Sequence, residues 1–167
     1  MDRALELARH GLEQGEQPIG ALVVVDGEVV AERFWRGDQE PGVLRHPELV
    51  ALLDADREIG PQRRDAVLYT TLEPCLMCMG AAAAFFVATV VYALDSPLDG
   101  AARALAEWAP PAGHPGVLGP ASYRVPAVVG GVRAAEARQL LEEYVARAGT
   151  TAVAEWARLL LASLDES

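Results

Sequence analysis

The chain has 167 residues, 51% apolar and 23% charged, enough for one buried core and too few for two comfortable ones. Fourteen basic residues stand against 24 acidic ones, a formal charge of −10, which excludes a chain-wide cationic surface of the kind that holds nucleic acid without specificity. Its two cysteines, Cys75 and Cys78, cannot staple a secreted scaffold.

Residues 3–14 place Leu5, Ala8 and Leu12 at helical spacing, and Gly15 and Pro18 end that helix. The stretch carries charges throughout and lacks the long apolar segment of a signal peptide. Residues 19–25 are apolar and rich in β-branched side chains. Asp26-Gly27 follows and then residues 28–34, a strong hairpin signal because Asp-Gly suits a type I′ turn. Residues 36–45 read as a loop. Residues 47–59 form a helix with Leu49, Leu52 and Leu53 on one face, ended by Gly60-Pro61. Residues 66–71 are a short strand, and 75–86 a helix of small residues suited to close packing. Residues 88–94 are a further strand. Residues 95–119 are rich in Gly and Pro, with a short helical stretch near 101–108. Residues 123–129 form the last strand, and 134–148 and 151–164 two closing helices. Helices alternating with short apolar strands predict an α/β protein, a three-layer α/β/α sandwich around a mixed sheet. The domain is expected to span residues 1–167, with 149–167 as an added C-terminal helix. The most apolar run, residues 79–91, falls short of the roughly 20 residues of a membrane span, so the cytoplasm is the default compartment.

Two short stretches carry chemistry. His46-Pro47-Glu48 and Pro74-Cys75-Leu76-Met77-Cys78 each open a helix. Thiols at i and i+3 in a first helical turn can face one metal ion, and the helix N-terminus favours thiolate over thiol. With His46 as third ligand the set is that of a catalytic zinc site, its fourth position left to water. His10 and His114 are available by type but stand in no ligand-like context. Two thiolates and an imidazole lower the pKa of a bound water and yield a nucleophile at neutral pH. Glu48 starts the same helix as His46 and is suited to proton transfer, first from the water and then to the ring nitrogen and departing ammonia. A lone CxxC is more often a redox or structural element, and the two cysteines are also readable as core residues. The combination of HxE at a helix start with a later PCxxC matches the zinc deaminase signature.

On these residues the chain resembles the cytidine/tRNA-adenosine deaminase superfamily, in the branch of bacterial tRNA-adenosine deaminases and guanine or cytosine deaminases. The likeness extends through Pro18-Ile19-Gly20-Ala21-Leu22-Val23-Val24 and the stretch from Leu68 to Ala81, and more weakly through Val90-Val91-Tyr92-Ala93 and residues 131–137. The resemblance implies a five-stranded mixed sheet between helices, Zn2+ held between two helix N-termini by His46, Cys75 and Cys78, Glu48 as proton shuttle, and a homodimer. It also implies that the backbone at Gly20 and Ala21 approaches the substrate ring, which a glycine permits. Phe34, Trp35 and Trp108 are candidates to stack on a flat heterocycle, each equally readable as packing. Trp156, on the last helix, reads first as hydrophobic packing, the alternative being that this helix covers the active-site mouth or extends a dimer contact.

Three departures shape the expected substrate. Pro47 replaces the usual Ala of HxE and is tolerated in a first helical turn. The family's substrate-binding Asn has no counterpart in residues 34–45, where Asp38, Gln39 or Glu40 are the available replacements. Ala83-Ala84-Phe85-Phe86 is apolar where the tRNA enzymes tend to be polar. With the negative charge, this predicts hydrolytic deamination of a small nucleobase or nucleoside, purines slightly favoured, and no nucleic-acid partner. The alternatives are a tRNA adenosine-to-inosine deaminase and, from a different class, a catalytically idle zinc protein with a structural or binding role. Glu48 argues against the idle site, which has no need of it.

Overall fold

The structure is a computed structural model that describes residues 1–37, 42–60, 65–108 and 123–166. Asp38, Gln39, Glu40 and His114 lie outside the described residues. Helix α1 (Asp2–Glu13) precedes the hairpin of β1 (Gly20–Val25) and β2 (Glu28–Phe34). Asp26 and Gly27 both have positive φ, 54° and 84°, as a type I′ turn requires. Helix α2 (Pro47–Ile59), β3 (Ala66–Leu72), α3 (Leu76–Ala84) and β4 (Thr89–Leu94) follow, then α4 (Ala102–Ala106), β5 (Ala127–Val129), α5 (Ala134–Arg147) and α6 (Ala152–Asp165).

The five strands form one mixed sheet in the order β2-β1-β3-β4-β5. β1 pairs antiparallel with β2 and β3, while β3, β4 and β5 run parallel. Side chains alternate across the sheet. Val23, Leu68 and Val90 join Ala51, Leu52, Met79 and Leu105 in the core beneath α2, α3 and α4. On the opposite face Leu22 meets Ala4 and Leu7 of α1, and Leu94 joins Leu5, Leu140 and Leu160 of α1, α5 and α6. The expected three-layer α/β/α sandwich is therefore the fold observed.

Two sequence expectations differ. The last strand has three residues, not the expected seven, because Pro126 has no N–H to give a ladder and the Arg124 N–H is bonded to the Ala83 carbonyl at the end of α3. On α2 the buried stripe is Pro47, Glu48, Ala51, Leu52 and Ala55, whereas Leu53 is half exposed. Alanines on that stripe let the helix sit close to the sheet, and the same rotation carries the Glu48 carboxylate inward.

No helix among the described residues is long and apolar enough to cross a membrane.

Candidate active site

β3 runs in parallel beside β4 and ends at Leu72, and the chain then turns through Glu73-Pro74 into α3. Cys75 is the N-cap of α3 and His46 the N-cap of α2. Both residues have extended backbone (φ −68° and −64°), with Pro47 in the first turn of α2. Two helix N-termini thus converge, and their partial positive charge favours anionic sulfur. Glu73 braces this corner. Its carboxylate accepts from the Ser96 N–H at 3.0 Å and the Ala102 N–H at 3.1 Å, and a side chain on Gly100 would collide with it.

His46 Nδ1 lies 3.6 Å from Cys75 Sγ, and Cys75 Sγ lies 3.7 Å from Cys78 Sγ. The three ligand atoms are within 4.8 Å of one another. A tetrahedral zinc with ordinary Zn–S and Zn–N bonds needs about 3.8 Å between sulfurs and about 3.6 Å between sulfur and nitrogen. The residues present therefore fit zinc, and no fourth His, Cys, Asp or Glu joins the group among the described residues. Both cysteines are free. The hydrogen bond between the two sulfurs, with His46 beside them, holds Cys75 down at about 3, while Cys78 is pushed up by that bond and by burial. The hydrogen bond to Cys75 raises His46.

Glu48 is 4% exposed. Its Oε1 accepts from the Thr70 hydroxyl at 2.8 Å, and Oε2 lies 3.7 Å from Cys78 Sγ. Burial pushes its carboxyl above the usual range, partly offset by the Thr70 bond. Glu48 therefore reaches the metal position from beside it, outside the three-ligand group.

A cavity of about 300 Å³ opens onto this group, lined by His46, Glu48 and Cys75 together with Gln17, Trp35, Asp99 and others. Trp35 stands edge-on to the His46 ring, centroids 5.4 Å apart. Of the remaining expected substrate residues that are described, the structure brings none into the cavity wall. The Gly20 Cα faces α1, where a Cβ would overlap the Ala4 carbonyl and lie 2.8 Å from Ala8 N; the glycine is required by helix docking. Ala21 is fully buried in the core. Phe34 points away from Trp35, toward the edge of His10. Trp108 pairs with Tyr123 over the outer face of α3.

Sequence reasoning missed Gln17 and Asp99, and for the last helix it put packing ahead of the cover over the active-site mouth that the cavity lining supports. Gln17 is buried and sits just before the Pro18 to Val24 stretch. Ala152, Val153 and Trp156 of α6 close one side of the cavity, far from the motifs in sequence.

Fold and site together define a zinc-binding deaminase domain. The chain belongs to the cytidine and deoxycytidylate deaminase zinc-binding family, whose model matches residues 1–94. It is 36% identical over 106 residues to a tRNA-specific adenosine deaminase of Bacillus subtilis, covering 63% of this chain and 66% of that protein. It is 39% identical over 145 residues to a tRNA(Ile)-lysidine synthase of Deinococcus radiodurans, covering 86% of this chain but only 23% of that enzyme. The chain thus spans about a quarter of one relative and just under two thirds of the other. Among solved structures, one from work on A-to-I editing by tRNA:A34 deaminases superposes with a TM-score of 0.68 at 31% identity, over 84% of this chain and 96% of that one. NE0047 in complex with 2,6-diaminopurine superposes with a TM-score of 0.69 at 25% identity, over 90% and 82%.

These relatives correct the expectation that nucleic acid is no partner. That expectation rested on the apolar Ala83 to Phe86 stretch and on net charge, which is an average over the surface and says nothing of where the basic residues gather.

Proposed function

We propose that the chain catalyses hydrolytic deamination of a purine amino group, with adenosine in a tRNA anticodon loop as substrate. The observation that carries the chemistry is the buried Glu48 carboxylate beside the His46, Cys75 and Cys78 group. Zinc held by these three residues supplies a Lewis acid that brings the pKa of water toward neutrality. Glu48 accepts one proton of the attacking water and delivers it to the ring nitrogen next to the amino-bearing carbon; it then takes the second proton, from the new hydroxyl, and delivers it to the amine, which departs as ammonia as the C–N bond breaks and the carbonyl forms. Thr70 keeps the carboxylate turned to this task through Oε1. Trp35 offers a flat wall to the base, and Gln17 and Asp99 offer hydrogen-bonding groups to its edge. The tRNA assignment is supported by the names of the two relatives, an adenosine deaminase and a lysidine synthase that both act on tRNA.

A second reading, a free aminopurine, is favoured by the wall that Val153 and Trp156 build over the cavity, and by the diaminopurine bound to NE0047. Inosine formation in an anticodon stem-loop, measured beside ammonia release from adenine, guanine, cytosine and their nucleosides, separates the two. Turnover of a free base with the stem-loop untouched replaces the first reading by the second.

We further propose a homodimer formed through the outer face of α3. Leu76 there is 66% exposed, a Cβ on Gly80 would meet open space, and Trp108 and Tyr123 flank an apolar hollow beside them.

A further inference from the structure

All 14 positive side chains of this protein are arginines, and five of them line one groove that crosses the edge strand β2 between α1 and α2: Arg3, Arg33, Arg36, Arg45 and Arg57. The groove has a volume of about 640 Å³, and among the described residues its acidic lining is Glu32 and Asp54. The charge of its described lining is therefore opposite in sign to that of the whole chain. We propose that this groove is the docking surface for the phosphodiester backbone of the RNA that carries the target base, an inference that rests on the tRNA reading above.

Three observations support it. The first is chemical. Guanidinium groups match phosphate oxygens in a bidentate fork. Arg3 pairs with Glu32, and Arg33 and Arg57 share Asp54, all three arginines having exposed side chains. Exposed pairs of this kind are weak and exchange readily for a phosphate.

The second is the presence of an aromatic platform. Phe34 lies in the groove with the His10 ring edge-on at 5.0 Å and the Arg36 guanidinium 5.9 Å above its centroid. Basic grooves interleaved with aromatic rings hold single-stranded nucleic acid by backbone charge and base stacking.

The third is position. The Trp35 N–H continues the β1 ladder by bonding the Ile19 carbonyl at 2.8 Å, so successive side chains alternate. Trp35 lines the catalytic cavity while Phe34 and Arg36 line the groove. His46 faces the cavity, its neighbour Arg45 faces the groove, and Pro47 lines both. Groove and cavity thus share a wall one residue thick. The arginines are spread over α1, β2, α2 and the segment before His46, too widely for the phosphate of one mononucleotide and well suited to a run of several.

The test compares the zinc-loaded protein with an Arg36→Gln/Arg45→Gln/Arg57→Gln variant and with an Arg133→Gln/Arg147→Gln control at the two ends of α5. Binding of an anticodon stem-loop is followed by fluorescence anisotropy across a salt series, with zinc content and circular dichroism recorded for each protein. The expected result is stem-loop affinity lowered at least tenfold in the groove variant at unchanged zinc content. The slope of log affinity against log salt should become shallower by about 0.7 for each single-strand phosphate that the groove no longer neutralises. The control should keep both. If the unmodified protein deaminates the stem-loop and the groove variant keeps its affinity and salt slope, or the control loses them instead, the groove is overturned while the tRNA reading stands. If a groove variant loses zinc, Arg36→Lys/Arg45→Lys/Arg57→Lys keeps the charge and must bind the stem-loop with the original salt slope, or the proposal falls. An unmodified protein that neither binds nor deaminates the stem-loop overturns both.

Discussion

The Thr70 hydroxyl donates to Glu48 Oε1 at 2.8 Å from strand β3, the strand that leads on into the Cys75 helix, so the carboxylate and the thiolates are positioned by one continuous piece of chain. Oε2 is left facing Cys78 Sγ at 3.7 Å. Glu48→Gln retains size and the bond from Thr70 but has no basic oxygen for a proton. Zinc content and thermal midpoint should stay at the parent values while kcat falls by about 10²–10⁴-fold. Turnover within about tenfold of the parent would remove Glu48 from the mechanism.

The three ligands predict one zinc per chain. Cys75→Ser and Cys78→Ser should each lose the metal, measured by elemental analysis of protein purified without added zinc. Because the ligands are bound deprotonated, acidification should release zinc and alkaline conditions retain it. Removal by a chelator should lower the thermal midpoint, since the metal binds only where α2 and α3 are already brought together. A metal-free protein with full activity contradicts this centre.

Gly20 tests the docking of α1. Its amide donates to Thr71 Oγ1 at 3.1 Å, and the space where a side chain would sit is filled by the Ala4 carbonyl, Ala8 N and Leu7 Cβ. Gly20→Val should cost about 1–3 kcal/mol in denaturant unfolding through overpacking. An unchanged midpoint would mean that α1 is not seated on β1 in this way.

On α3, a charge placed at Leu76, 66% exposed, should cost the folded monomer little and disrupt a dimer that buries it. Light scattering at micromolar concentration should give a dimer for the parent and a monomer for Leu76→Arg. A monomeric parent refutes the assembly.

What was legible in the sequence was local. The Asp26-Gly27 turn, the span of α2 and the HxE and PCxxC stretches each rest on residues close together in the chain, where turn chemistry and helix starts act. What was not legible depends on partners distant in sequence. Leu53 and Ala55 are both acceptable helix residues, and the sheet beneath α2 decides which of them is buried. Phe34 and Trp35 were equivalent as aromatic candidates until the Ile19 to Trp35 ladder bond fixed which one faces the cavity. Trp156 sits about 80 residues beyond the cysteines, and only the return of α6 across α5 brings it to the site.

That return yields the last prediction. α6 is anchored at its start by the Thr151 side chain, which accepts from the Ala154 N–H, and by Arg158 donating to the Ala148 and Gly149 carbonyls. At its end Asp165 pairs with Arg138 of α5. Held in this way, the helix presents Val153 and Trp156 to the cavity that His46 and Glu48 also line, while Ala154, Ala157 and Leu160 stay in the core. A planar base beside the Trp156 ring gains stacking of about 1–3 kcal/mol. Trp156→Ala removes that ring without touching the metal ligands or Glu48. The expected outcome is a KM for the purine substrate, anticodon stem-loop or free base, raised about tenfold or more with kcat changed little, and Trp156→Phe restoring most of the loss. A merely structural role would instead lower the thermal midpoint and the active fraction, with KM unmoved. Unchanged KM in Trp156→Ala at full stability would take this wall out of substrate recognition.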